Sequence, residues 1–420
     1  MKKALLLSVI ASTMIMAGGD IAPVEPVVEV EAPAPSGWAF TGQGVVYYQT
    51  ADMWGAGDRS DSDLFSQGAS SANAGVSLKA ENKDIIGGIG AGVKLVGVGT
   101  LGLEEDVVSN VMETTDAGDL NGGAITELYL TYGIGNTLVK VGRQELPKAL
   151  SPLAFSESWN VFANTYEAAL VVNSDIPNTT LVGAWVRGNN TSNDLNNFVK
   201  ANNSDGIFMI TAANTSVPDV GITGTVYYAQ DLLGDDLTAG WLDVSAKVSG
   251  LDVGFQAGVL DHADRTYAVG AKVGGAFGPV NAGLAVSYVN DEGLGVLNVG
   301  GDQYAVLADG LGDTGLKLGE NALYTTSSLG TNPFATALDS TSVQLCASID
   351  AAGGKVLFIG DYSNTGDMNA LGDGDFMEAT LGYATSIGNL DLLAGYVYQK
   401  IDADLDEDNN IIRAVARYNF

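Results

Sequence analysis

The chain has 420 residues, 19 of them basic and 50 acidic, with a single histidine and a formal net charge of −31. A field of that sign excludes nucleic acid as a natural partner, and one cysteine, Cys346, excludes a disulfide framework. Apolar residues make up 46% of the chain, but beyond the first twenty positions no apolar run is long enough for a membrane helix.

In chain order, Lys2 and Lys3 precede an apolar stretch from Ala4 to Ala17, too short to span a bilayer, so 1–19 reads as an export signal. Cleavage is expected after Ala17 or Gly19. Residues 20–37, "DIAPVEPVVEVEAPAPSG", alternate proline with valine and glutamate and form a stiff, extended, acidic periplasmic linker. From Trp38 the period becomes two, and 38–420 is expected to be one domain. In "SANAGVSLKAE" (71–81) Ala72, Ala74, Val76, Leu78 and Ala80 alternate with Asn73, Gly75, Ser77, Lys79 and Glu81. The same alternation predicts strands at 38–51, 71–81, 86–98, 124–134, 137–144, 166–173, 179–187, 206–213, 220–228, 238–248, 251–260, 266–276, 280–289, 340–349, 355–363, 376–385, 390–398 and 410–420.

The connections alternate between short turns ("NKD", "GN", "SG", "FGP", "SIGN") and long loops, of which 290–339 is the longest. In an up-and-down barrel every second connection emerges on the same rim, so one rim takes the turns and the other the loops. The expected fold is therefore all-β: a transmembrane antiparallel barrel of about 18 strands, with 16 as the alternative. That size leaves an aqueous interior, and closure satisfies every backbone group in lipid.

The closing segment "NNIIRAVARYNF" places Ile412, Ala414, Ala416, Tyr418 and Phe420 on one face of a strand and Arg413 and Arg417 on the other. An exported, acidic, eighteen-strand chain ending this way resembles outer-membrane porins. Within it, "VGRQELPKALSPLAFSESWNVFANTYEAALVVNSDIPNTTLVGAWV" (141–186) resembles the third-loop region of porins of the porin D and major outer membrane protein type. There a Gly-Arg-Gln strand end, matched by Gly142, Arg143 and Gln144, leads into a loop that folds inward and narrows the pore. Thr165, Tyr166 and Glu167 match the start of the next strand. The resemblance implies residence in the outer membrane of a Gram-negative bacterium, contact with its lipid, a homotrimer, and recognition of Phe420 by the barrel-assembly machinery. Porin D members carry an arginine in mid-loop where this chain has Glu157, Ser158 and Trp159, so their preference for carboxylates is not carried over.

Enzymatic readings find little support. His262 stands alone in "DHADR", no nucleophile elbow occurs, and "GVGTLG" (97–102) runs into "LEEDVVSN" without the strand–helix–strand setting that a dinucleotide fingerprint needs. No cofactor is expected. "DADLDEDNN" (402–410) offers Asp402, Asp404 and Asp406 as weak calcium ligands, but an EF-hand register would demand glycine at Glu407 and an acid at Arg413.

Placing each strand's polar face inward puts Lys79, Lys94, Lys140, Lys247, Lys272, Arg413 and Arg417 in the channel, with Glu81, Glu127, Asp243 and Glu378 among them. A basic side chain facing lipid costs about 2–4 kcal/mol at mid-bilayer, which favours this assignment. If the loop at 145–165 folds inward, Glu145 and Glu157 confront these cations at the narrowest point. The function these residues imply is passive diffusion of small hydrophilic solutes and ions, with a preference for cations. A channel selective for one solute class, or an adhesin or structural barrel using the 290–339 loop, is the alternative.

Overall fold

The computed structural model describes residues 37–52, 63–104, 106–115, 121–157, 160–191, 194–232, 235–262, 265–290, 298, 320–326, 333–337, 339–366, 374–402 and 407–420. The export segment, residues 20–36 of the linker, Ser158, Trp159, Asp404, Asp406 and most of 290–339 lie outside them.

The described residues form nineteen strands: β1 (Ala39–Asp52), β2 (Ser70–Ile86), β3 (Ile89–Gly99), β4 (Gly122–Ile134), β5 (Thr137–Gln144), β6 (Tyr166–Asn173), β7 (Thr179–Thr191), β8 (Asp194–Lys200), β9 (Ile207–Asn214), β10 (Val220–Leu232), β11 (Asp235–Val248), β12 (Leu251–Asp261), β13 (Arg265–Phe277), β14 (Val280–Val289), β15 (Thr341–Ala351), β16 (Gly354–Thr365), β17 (Gly374–Ile387), β18 (Leu390–Asp402) and β19 (Glu407–Asn419). Apart from β8, each pairs antiparallel with its neighbours in chain order, and β1 pairs with both β2 and β19, so the sheet closes on itself. β7 continues its pairing with β9 and holds β8 only along Gly188–Thr191, which makes eighteen wall strands and one extra strand at the loop-bearing rim. All eighteen expected strands are found. Several run further into the loops than their alternation suggested, so that 233–234 and 262–264 are all that separate β10 from β11 and β12 from β13.

The wall is apolar outside. Leu78, Leu130, Ile210, Val226, Leu345 and Leu381 are exposed on its outer surface, whereas their strand neighbours Ser77, Tyr129, Met209, Tyr227, Gln344 and Thr380 are buried on the inner side. This is the apolar-out, polar-in alternation that suits a lipid-facing barrel.

Two bulges reset the alternation where charge is concerned. Lys94 faces Glu127 but Leu95 faces Ile125, so Thr126 is an extra residue in β4. In an unbroken pleat Ile125 and Glu127 would share one face; the bulge lets Ile125 stay outward while the carboxylate turns inward. In β7 the extra residue is Arg187, since Glu167 faces Gly188 while Ala168 faces Val186. Arg143 lies near the end of β5. Glu167 accepts from both Arg143 and Arg187, at 3.2 and 3.1 Å, and the ring of Phe198 from β8 covers the Arg143 guanidinium at 3.5 Å. The extra strand thus shelters a charge that lipid would otherwise meet.

Candidate functional site in the lumen

The loop 145–165 leaves the wall where Gly142 takes φ +132°; a Cβ there would sit 2.2 Å from the Leu128 carbonyl oxygen, so the kink requires glycine. Gln144, fully buried, fastens the departure by donating Nε2 to the carbonyls of Gly142 and Ala168. The loop then folds inward. Its first part closes on itself through Leu146 and Ser156, which exchange a backbone and a side-chain hydrogen bond of 2.8 and 3.0 Å.

Both walls hold the loop. Leu150 and Leu153 join an apolar cluster with Val182, Met209, Tyr227 and Trp241. Thr211 of β9 donates to the Leu150 carbonyl at 2.7 Å, and the Tyr227 hydroxyl of β10 accepts from the Leu153 amide at 3.1 Å. Val161 and Phe162 pack instead against Val45, Tyr47, Val96 and Val415. There Arg417 of β19 donates to the Val161 carbonyl at 2.8 Å and to that of Asn160. Since β9 and β10 stand half the barrel away from β19, the loop spans the interior. Glu113, from the loop between β3 and β4, adds a third tie by accepting from the Phe162 amide at 2.9 Å.

At the loop's root lies a charged patch contributed by β2 to β5. Glu127, 2% exposed, pairs with Lys79 at 2.9 Å and approaches Lys94 at 4.0 Å; Lys94 pairs in turn with Glu145 at 2.8 Å. Tyr129, two residues beyond Glu127 on the same inner face, donates its hydroxyl to Glu81 at 3.1 Å. Its ring lies under the ammonium of Lys140 at 3.8 Å and within 5.6 Å of that of Lys79. Burial alone would raise the Glu145 carboxyl, but the Lys94 ammonium outweighs it and holds that group below the ordinary carboxylate range. Lys140 has no ion-pair partner among the described residues, so three cations face three carboxylates with one lysine left on a ring.

A second patch lies on the β11–β13 wall. Residues 320–326 run against it, with Tyr324 donating its hydroxyl to Asp243 and its ring lying 4.0 Å below the Lys272 ammonium. The tyrosine hydroxyl is pushed well above its usual range by burial and by the Asp243 charge. Lys148, near the tip of the inward loop, approaches Glu320 at 3.9 Å. Burial pushes Glu320 up and Lys148 down, and across a pair as long as 3.9 Å neither charge fully restores the other.

The remaining expected residues are dispersed. Glu157 lies fully buried inside the loop, accepting from Asn298 at 2.9 Å, so Glu145 is the loop acid that meets a wall lysine. Lys247 sits beside the short turn after β11 and pairs with Asp252 at 3.3 Å. Arg413 faces inward, 2% exposed, and donates to Gln49 at 3.0 Å. Asp402 is exposed at the end of β18, and among the described residues no group of three or more His, Cys, Asp or Glu side chains converges as metal ligands would. Sequence reasoning missed Tyr129, whose inner-face position beside Glu127 was readable, and it missed Lys148, Glu320 and Tyr324, which sit in irregular segments with no period to read.

No family model and no curated protein matches this chain. Solved structures do. OccK8 (OprE) of Pseudomonas aeruginosa superposes with a TM-score of 0.68 over 91% of this chain and 98% of its own, at 12% identity. OccAB2 of Acinetobacter baumannii gives 0.68 over 93% and 99%, at 14% identity. OpdK of Pseudomonas aeruginosa, solved with vanillate, gives 0.67 over 91% and 98%, also at 14% identity. The chain therefore has the fold of these barrels along nearly their whole length, in keeping with the porin D likeness of its third-loop region.

Proposed function

We propose that this chain is a passive channel of the Gram-negative outer membrane, conducting small hydrophilic solutes and ions and favouring cations. One observation carries the reading: a loop pinned to opposite walls of an apolar-coated barrel, with Lys79, Lys94, Lys140, Glu81, Glu127 and Glu145 gathered at its root. Opposed charges beside a constriction make a transverse field, which orients dipolar solutes as they pass. The cation preference comes from the mouth. Asp231, Asp235, Asp236, Asp261, Asp402 and Asp408 are exposed at the loop-bearing rim, and an acidic mouth enriches cations before they reach the wall lysines. Assembly as a homotrimer, inserted by machinery that reads the strand ending at Phe420, belongs to the same proposal. Current steps across a planar bilayer, with a reversal potential of cation-selective sign in a salt gradient, are the expected result. Folded protein that gives no steps would remove the reading.

A second reading has its own support. Lys140 and Lys272 rest on tyrosine rings without an ion-pair partner among the described residues, a setting suited to a solute carboxylate. OpdK, of the same fold, was solved with vanillate. Block of the current by vanillate in the wild type, lost in a K140Q/K272Q variant, would favour a solute-selective channel.

A further inference from the structure

The wall from β15 to β19 carries a polar ladder apart from the charged patch of β2 to β5. Gln344 faces Asp361, Asp361 faces Glu378, Glu378 faces Gln399 and Gln399 faces Asn409, one inward residue on each of five consecutive strands. All five are at most 6% exposed. The amides converge on the two carboxylates from both sides of the ladder. Gln344 donates its NH2 to Asp361 Oδ1 at 2.8 Å, Gln399 donates to Glu378 Oε2 at 2.6 Å, and Asn409 donates to Gln399 Oε1 at 3.0 Å.

That arrangement satisfies one oxygen of each carboxylate and leaves the other bare. Asp361 Oδ2 and Glu378 Oε1 have no hydrogen-bond donor, nor do the neighbouring Gln344 Oε1 and the Thr380 hydroxyl, two residues beyond Glu378 on the same inner face. Arg413 lies within electrostatic reach of Glu378, but neither acid forms an ion pair among the described residues. Two carboxylates on adjacent strands stand about 4.8 Å apart at the backbone, and with Arg413 reaching Glu378 but not Asp361 one buried charge of the pair is left uncompensated. On the ladder, and at Thr380 beside it, the bare side-chain atoms are all oxygens. A carboxylate pair completed by amide, hydroxyl and water oxygens is the donor set of a hard cation.

We propose that Asp361 and Glu378 together hold one hard cation, sodium or calcium, in the barrel wall, with the Gln344 carbonyl and the Thr380 hydroxyl as flanking ligands. The ion ties β16 to β17, and the inference stands whether or not the barrel conducts as proposed above.

The test uses the full-length folded protein in detergent, stripped with chelator and dialysed against radioactive calcium alone or radioactive sodium alone. One ion per chain is expected, calcium or sodium being distinguished by the two arms. D361N and E378Q should each abolish it, and T380V, which keeps both charges, should weaken it severalfold even if the acid variants fold poorly. A D402N/D404N/D406N variant should retain it. Binding lost in that triple variant but kept in D361N would overturn the proposal by moving the ion to the rim. So would the absence of either ion from the wild type together with an infrared band of a protonated carboxyl that vanishes in E378Q, since the pair would then share a proton.

Discussion

Gly42 and Phe420 exchange both of their backbone hydrogen bonds, Gly42 N–H to the Phe420 carbonyl at 2.7 Å and Phe420 N–H to the Gly42 carbonyl at 2.9 Å. They extend the β1–β19 seam by one rung, and the phenyl ring lies across the glycine, where a Cβ would come within 2.3 Å of it. The ring is 55% exposed and stacks on Tyr418 at 6.2 Å, so it sits on the outer surface. A Gly42→Leu substitution should push the ring off the seam and slow closure while leaving the other strands' pattern intact. The fraction of protein that migrates as a folded band without heating should fall, and an unchanged fraction would show that the ring's seat is unimportant.

The Lys94–Glu145 pair fixes the root of the inward loop and has a signed pH dependence. The Glu145 carboxyl lies below its unfolded value, so its stabilising contribution is present above the ordinary carboxylate pKa of about 4.3 and is lost only as pH falls through the lower, folded value. On acidification through the ordinary carboxylate range, protease cleavage within 145–165 should stay slow in the wild type and rise only below it. Glu145→Gln should cleave faster at neutral pH and lose that acid limb.

Lys140 rests on the Tyr129 ring with no carboxylate partner among the described residues. For a cation passing roughly 8–10 Å away, removing that charge lowers the barrier by about 1.5–2 kcal/mol at an effective dielectric of about 20, before salt screening. Lys140→Gln should therefore shift the reversal potential toward cations, more in dilute than in concentrated salt. A shift of opposite sign, or none, would place Lys140 away from the conducting path.

Leu153 anchors the loop to the β9–β10 wall, and Arg417 anchors it to β19. Truncating a well-packed leucine costs about 2–5 kcal/mol where the site cannot collapse. Leu153→Ala and Arg417→Gln should each free one end of the loop, raising single-channel noise and mean conductance, and the double variant should exceed either. Equal, quiet conductance in all three would mean that the loop does not set the narrowest point.

Much of this was legible in the amino-acid order, for a physical reason. A wall with lipid on one side and water on the other must alternate apolar and polar residues, so each of the eighteen strands announced itself. β8 did not, because "DLNNFVK" carries no strict alternation of apolar and polar residues. The inward position of Glu127 follows from turning each strand's polar face inward, yet the bulge at Thr126 that keeps Ile125 outward on the same strand leaves no trace in the pattern. Deleting Thr126 should therefore restore a regular pleat in the same register, with Ile125 outward and Glu127 inward, and leave the Lys79 and Lys94 pairs intact. The meeting of Lys148 with Glu320 was beyond reach, since two irregular segments far apart in the chain share no rhythm.

The arginine that anchors the far end of the loop belongs to one of the two strands that meet at the seam. Until β1 and β19 come together, the loop's second mooring has no fixed place against the Tyr47 and Val45 side of the wall. Sealing the cylinder and setting its internal bore are thus one event, and a half-zipped intermediate is at once open along its flank and unobstructed within.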